Sequence, residues 1–116
     1  MTVSDYLQTL KTNPAAIEFQ DFMDVIDAHY VFTPTGFTNG GLVNRADQNQ
    51  GSCKVFSFAR LHGLTAAQTL ACFGQYYRQD VLQNPAGEDH QNIRNFMKTG
   101  PAGVTFDSDT SPLKPA

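Results

Sequence analysis

Tryptophan is absent from this 116-residue chain, and cysteine occurs only twice, as Cys53 and Cys72. Two widely separated thiols make neither a disulfide framework nor a CxxC metal motif, and they suit a reducing compartment. Positive charge is also scarce, with eight Lys and Arg scattered against eleven Asp and Glu for a net charge of −3. Without a basic cluster there is no track for phosphates, which excludes nucleic acid as the expected partner. No two histidines stand three or four apart, so the usual spacing of metal ligands is missing. No apolar run approaches the roughly 18 residues of a membrane span, and no secretory apolar segment opens the chain. These absences predict a soluble, cytoplasmic domain with no metal and no cofactor.

What the chain does hold is phenylalanine, nine of them. One domain of this length hides roughly two-thirds of its unfolded surface, enough for a core built on phenyl rings without staples. Ser4 predicts a first helix reaching Lys11, and Asn13-Pro14 starts a second, because Pro suits a first helical turn. In that second helix Phe19, Phe22, Met23, Ile26 and Tyr30 share a face, while Asp21, Asp24 and Asp27 point to solvent. Residues 1–30 carry five acids and one Lys, an imbalance read as a solvated helix face.

From Tyr30 the pattern turns to β-formers, with Asn39-Gly40-Gly41 as a hairpin turn and Leu42-Val43-Asn44 as the returning strand. Pro34 belongs at an edge or bulge of that ribbon. A polar loop over 44–51 leads to a helix over 53–62, with Ser52 as its N-cap and Gly63 as its stop. Thr65 and Gln68 form a capping box for a helix striped by Leu70, Phe73, Tyr77 and Val81, ending near Asn84-Pro85. Gly74 on its flank marks a close approach of another backbone. Asp89 predicts the cap of a last helix with Ile93, Phe96 and Met97 inward, and Val104-Thr105-Phe106 offers a third strand. The expected fold is α+β, about five helices on a small antiparallel sheet of two or three strands. Residues 1–106 form its single domain, and 107–116 are expected to fray as a flexible tail.

Cys53 and His90 are the candidate catalytic residues. At the first position of a helix, beside Lys54 and Arg60, the Cys53 thiolate would gain from the helix dipole. That placement supports an alternative reading as a small thiol-dependent hydrolase or transferase, with His90 or His62 as base. His90 follows Asp89, whose carboxylate could orient the ring for acid–base work. His62, near the last carbonyls of its helix, and His29 read as structural. Residues 47–51 begin like a calcium loop, but Ser52 replaces the required Gly and Phe58 the required Glu.

Three blocks, Gly51–Phe56, Leu70–Arg78 and Asp89–Met97, together make the chain resemble the HopJ family, in the right order and over roughly residues 10 to 106. That family takes its name from an effector that plant-pathogenic bacteria deliver by type III secretion, and the resemblance implies neither a known activity nor catalytic residues. Export signals of that lineage tend to be rich in Ser and free of acid in the first dozen residues. This chain has only Ser4 there and already has Asp5. The combined expectation is a HopJ-like module of unknown molecular activity that binds a protein or a small ligand. Its site would lie where the 53–62 helix, the polar loop and the 89–99 helix meet. Asn49, Lys54, Arg78, Asn92 and Arg94 are its expected binding residues, around Cys53 and His90.

Overall fold

The computed structural model describes residues 1–116 as five α-helices, one π-helical segment and two small antiparallel sheets, an α+β fold. Helix α1, Val3–Thr12, is capped by Thr2 in place of Ser4. The Thr2 hydroxyl accepts from the Asp5 N–H at 3.0 Å and the Asp5 carboxylate answers. Pro14–Ala16 makes only a 3₁₀ turn. Helix α2, Phe19–His29, starts after it, where the Asp21 carboxylate accepts from the Glu18 N–H at 2.9 Å. The face that α2 buries carries Phe22, Val25 and Ile26.

The hairpin forms as its turn residues dictate. Strands β2, Phe37–Asn39, and β3, Leu42–Asn44, are joined by Gly40 and Gly41, both with positive φ, 57° and 87°. A later strand, β4, Val104–Phe106, pairs with the other edge of β2, giving the order β3-β2-β4. Tyr30–Phe32, β1, stays outside this sheet. It pairs instead with β5, Leu113–Pro115, which departs from the tail expected at 107–116. The cause is Leu113, a large aliphatic side chain that is fully buried and anchors the returning strand. Pro34 falls between the two sheets, where its missing N–H interrupts no ladder.

Helix α3, Gln50–His62, closes on Gly63 at φ 60°. Thr65 and Gln68 form the expected capping box of α4, Ala66–Ala71. The long helix expected beyond it ends at Ala71 and turns through Gly74 (φ 59°), where a side chain would collide with the backbone of Glu18 and Phe19. Past the break the chain winds as a π-helical segment, Tyr76–Val81. Gln75 Oε1 accepts from the Phe19 N–H at 2.9 Å, and the Arg78 guanidinium donates to the Ile17 carbonyl. Those two bonds seat the π turn on the start of α2. Helix α5, Gln91–Thr99, follows a loop and packs against α4 and β2.

The core is a lattice of rings. Tyr6, Phe22 and Phe58 meet at 5.6 to 6.1 Å, and Phe56 stacks on Phe96 at 5.1 Å while touching Phe37 and Phe73 edge-on. Leu113 completes this core from the C-terminal end of the chain. Leu113→Ala is therefore expected to lower unfolding stability by about 2–4 kcal/mol, read as a shift of the urea midpoint at unchanged slope.

Candidate functional site

Two helices begin in the same place and in the same unusual way. Asn49 (φ 51°) precedes α3 and His90 (φ 49°) precedes α5, and these are the chain's two non-glycine residues with positive φ. A left-handed L-residue costs about 1–2 kcal/mol, least for Asn and for His among polar types. Each side chain turns away from its own helix. Asn49 Nδ2 donates to Asn44 Oδ1 at 2.7 Å, and His90 Nε2 lies 3.0 Å from Asp80 Oδ2. The N–H groups of Gln50, Gly51 and Ser52, and of Gln91, Asn92 and Ile93, consequently find no acceptor within the chain. Such first-turn donors are normally satisfied in part by the capping side chain.

Asparagines hold this arrangement in register. Asn92 Nδ2 donates to Asn44 Oδ1 at 3.0 Å, and Asn39 Nδ2 donates to Asn92 O at 2.8 Å and to Asn92 Oδ1 at 3.1 Å. Asn39, Asn44 and Asn92 are all buried, so each amide bond lost would strand a partner away from water. The hairpin thus grips the starts of both helices through four amide side chains, Asn39 and Asn44 reaching Asn92, and Asn44 reaching Asn49. Among the three buried amides, Asn39 Oδ1 remains without a partner.

Between the two helix starts lies an open cleft of about 540 Å³. Asn49, Gly51, Ser52, His90, Gln91 and Asn92 supply its polar wall, and Phe19, Phe73 and Tyr76 its aromatic one. Phe19 and Tyr76 sit 5.1 Å apart, and Tyr76 stacks on His90 at 5.2 Å with 25° between the rings. Gly51 matters here because a Cβ would stand 3.2 Å from the Phe19 ring. A second hollow of about 190 Å³, walled by Phe56, Leu64, Phe96 and Val104, lacks converging polar groups. Its Arg60 is committed to the Val104 carbonyl at 2.8 Å and to the Phe106 ring.

Of the residues singled out in the sequence, Asn49, His90 and Asn92 do meet at the cleft. Cys53 does not. Asn49, not Ser52, caps its helix, which places Cys53 in the second turn, fully buried, with its sulfur 3.5 Å from the Thr35 carbonyl. Burial pushes the thiol up to about 11, the opposite of an activated nucleophile, so the structure gives the thiol-enzyme reading no support. Lys54 lies over the Phe32 ring at 5.1 Å, and Arg78 spans the Ile17 carbonyl and Glu18. Arg94 is spent on its own loop, donating to Asp89 O at 2.6 Å, Asp89 Oδ1 at 2.7 Å and Asn84 O at 2.9 Å. That bond holds the exposed Asp89 carboxyl below the usual carboxylate range. Asp80 replaces Asp89 as the main partner of His90, since Asp89 Oδ2 is 3.9 Å away. His62 accepts or donates at 2.6 Å to the Tyr30 hydroxyl near the end of α3, and burial lowers its basicity.

The sequence reading passed over Asn39 and Asn44, which looked like turn and loop residues, and Asp80, Tyr76 and Phe19. The one available signal was the density of amide side chains around the hairpin, Asn39, Asn44, Asn49 and Gln50, more than turns require.

Comparison with known proteins finds a family described as HopJ type III effector protein matching residues 3–111. A solved structure described as "Crystal structure of unknown function protein VPA0580" is 49% identical, covering 100% of this chain and 95% of that one with a TM-score of 0.95. Among curated proteins nothing matches. No helix is long and apolar enough to cross a membrane.

The buried sulfur gives a direct test. With burial raising the thiol from its ordinary value of 9.0 to about 11, the Cys53 contribution is complete below about pH 9. It is lost as pH rises toward 11, on the order of 3 kcal/mol in all. Iodoacetamide at pH 8 is expected to leave Cys53 unmodified by mass until urea unfolds the chain.

Proposed function

We propose, for a chain that belongs to the HopJ type III effector family, that it is a binding module whose ligand enters the cleft between the starts of α3 and α5. The observation that carries this reading is the pair of left-handed caps whose side chains are engaged elsewhere. Two strained residues flank one cavity, and six backbone N–H groups near it lack internal acceptors. Strain of that kind is retained where the surroundings enforce it, and such positions cluster at ligand sites. Aromatic walls with a few convergent polar groups are the ordinary make-up of a small-molecule pocket. The π-helical turn supports the same place, since it brings Tyr76 and Asp80 together on His90.

A small ligand fits these features better than a protein partner, because the binding groups line a concavity. Fragment screening by amide NMR should find molecules whose shifts converge on Gly51, Ser52 and Gln91–Ile93. At a hundredfold excess over Kd such a ligand stabilises the fold by about 2.7 kcal/mol. Ser52→Trp, which fills the cleft from an α3 position, should abolish those shifts while leaving the melting temperature within a few degrees. Hits that cluster elsewhere, or survive Ser52→Trp unchanged, would refute the assignment.

The family is described as a type III effector protein, and we extend type III secretion to this chain as part of the proposal. Export of the tagged protein by a secretion-proficient strain, absent from a strain lacking the secretion ATPase, is the expected outcome.

A further inference from the structure

His90 is held in one orientation from several sides. Its backbone caps α5, its ring stacks on Tyr76 at 5.2 Å, and Nε2 sits 3.0 Å from Asp80 Oδ2. A carboxylate accepts and cannot donate, so the proton of the neutral ring belongs on Nε2, leaving the lone pair on Nδ1. Nδ1 has no partner within the chain, and the ring is part of the cleft wall. The His90 ring thus lines an aromatic cleft, beside Phe19, Phe73 and Tyr76, with an acceptor nitrogen that the chain itself leaves unused.

The charges nearby oppose one another. Asp80 and Asp89 are both close to His90, Arg94 is bonded to Asp89, and the two helix starts bring partial positive charge. The negative excess of the side chains offsets the helix ends, which favours neither an anion nor a cation.

We propose that the cleft selects a neutral planar ring carrying an O–H or N–H group, which it reads through Nδ1 of His90 while the ring packs against Phe19 and Tyr76. This inference rests on the cleft being the ligand site, and its test separates the two.

The probes are phenol against anisole and indole against 1-methylindole, with benzoate as the charged arm, titrated at pH 8 by amide and imidazole ¹⁵N spectra. Each methylated partner has more apolar surface, so without a hydrogen bond it would bind the tighter of the pair. The expected result is the reverse, roughly tenfold in favour of phenol and indole. The His90 ¹⁵N pattern should show the proton on Nε2 in the free protein and a shift at Nδ1 on binding. His90→Asn keeps a residue suited to the left-handed cap and should erase the preference while the fold persists. Equal or tighter binding of the methylated probes at the cleft overturns the ligand class alone, as does tighter binding of benzoate. Probe shifts that map away from Gly51, Ser52 and Gln91–Ile93 overturn the cleft itself.

Discussion

Amide bonds from the buried Asn44 to Asn49 and Asn92 are the constraint on which the rest of the site depends. Asn44 Oδ1 accepts from both neighbours, 2.7 Å from Asn49 Nδ2 and 3.0 Å from Asn92 Nδ2. One oxygen on the hairpin therefore fixes the start of α3 and the first turn of α5 together. Because Asn49 gives its side chain to that bond, it cannot cap its own helix. Because Asn44 and Asn92 are both shielded from water, breaking the bond between them leaves a polar group unsatisfied at a cost of about 1–3 kcal/mol. The left-handed backbone at Asn49 is the local cost of this shared anchor.

A second device works from the other side of the cleft. At Gly74, three residues past the end of α4, the chain passes so close to Glu18 and Phe19 that only glycine fits. The π turn that follows advances more residues per turn than an α-helix would, and it sets Tyr76 against His90 and Phe19. Gln75 and Arg78 tie that turn to residues 17–19. Phe19 in turn stacks on Phe73, so the aromatic wall is continuous with the phenyl core. The cleft is thus framed by core packing on one side and by amide bonds on the other.

The likeness at 49% identity to a structure described as of unknown function extends over the whole chain. It fixes the fold, as the family match fixes the family, without assigning chemistry, so the functional argument has to come from the site. There the strongest nucleophile by type, Cys53, is withdrawn into the core, and Cys72 is buried as well with its thiol pushed up to about 12. What reaches the cleft is an imidazole with a carboxylate behind it, backbone donors and ring faces. That inventory is suited to holding a molecule in a defined orientation.

Much of the architecture was legible in the residues. The two glycines after Asn39 dictated the hairpin turn, Thr65 and Gln68 a helix start, Gly63 a helix stop, and nine phenylalanines a ring-built core. Each of these is a local preference, settled within a few residues by backbone sterics or by a short-range hydrogen bond. Asn49, His90 and Asn92 were also placed correctly in one neighbourhood, because the helix order brought their segments together. Cys53 was misjudged because a one-turn difference in where α3 begins moves a side chain from the exposed end to the buried face. Tertiary structure alone decided that Asn44 would bind two distant amides, that Asp80 would displace Asp89 at His90, and that Leu113 would draw the last strand back onto β1. Those outcomes depend on contacts between positions far apart in the chain, where burial and the need to satisfy every polar group outweigh any local propensity.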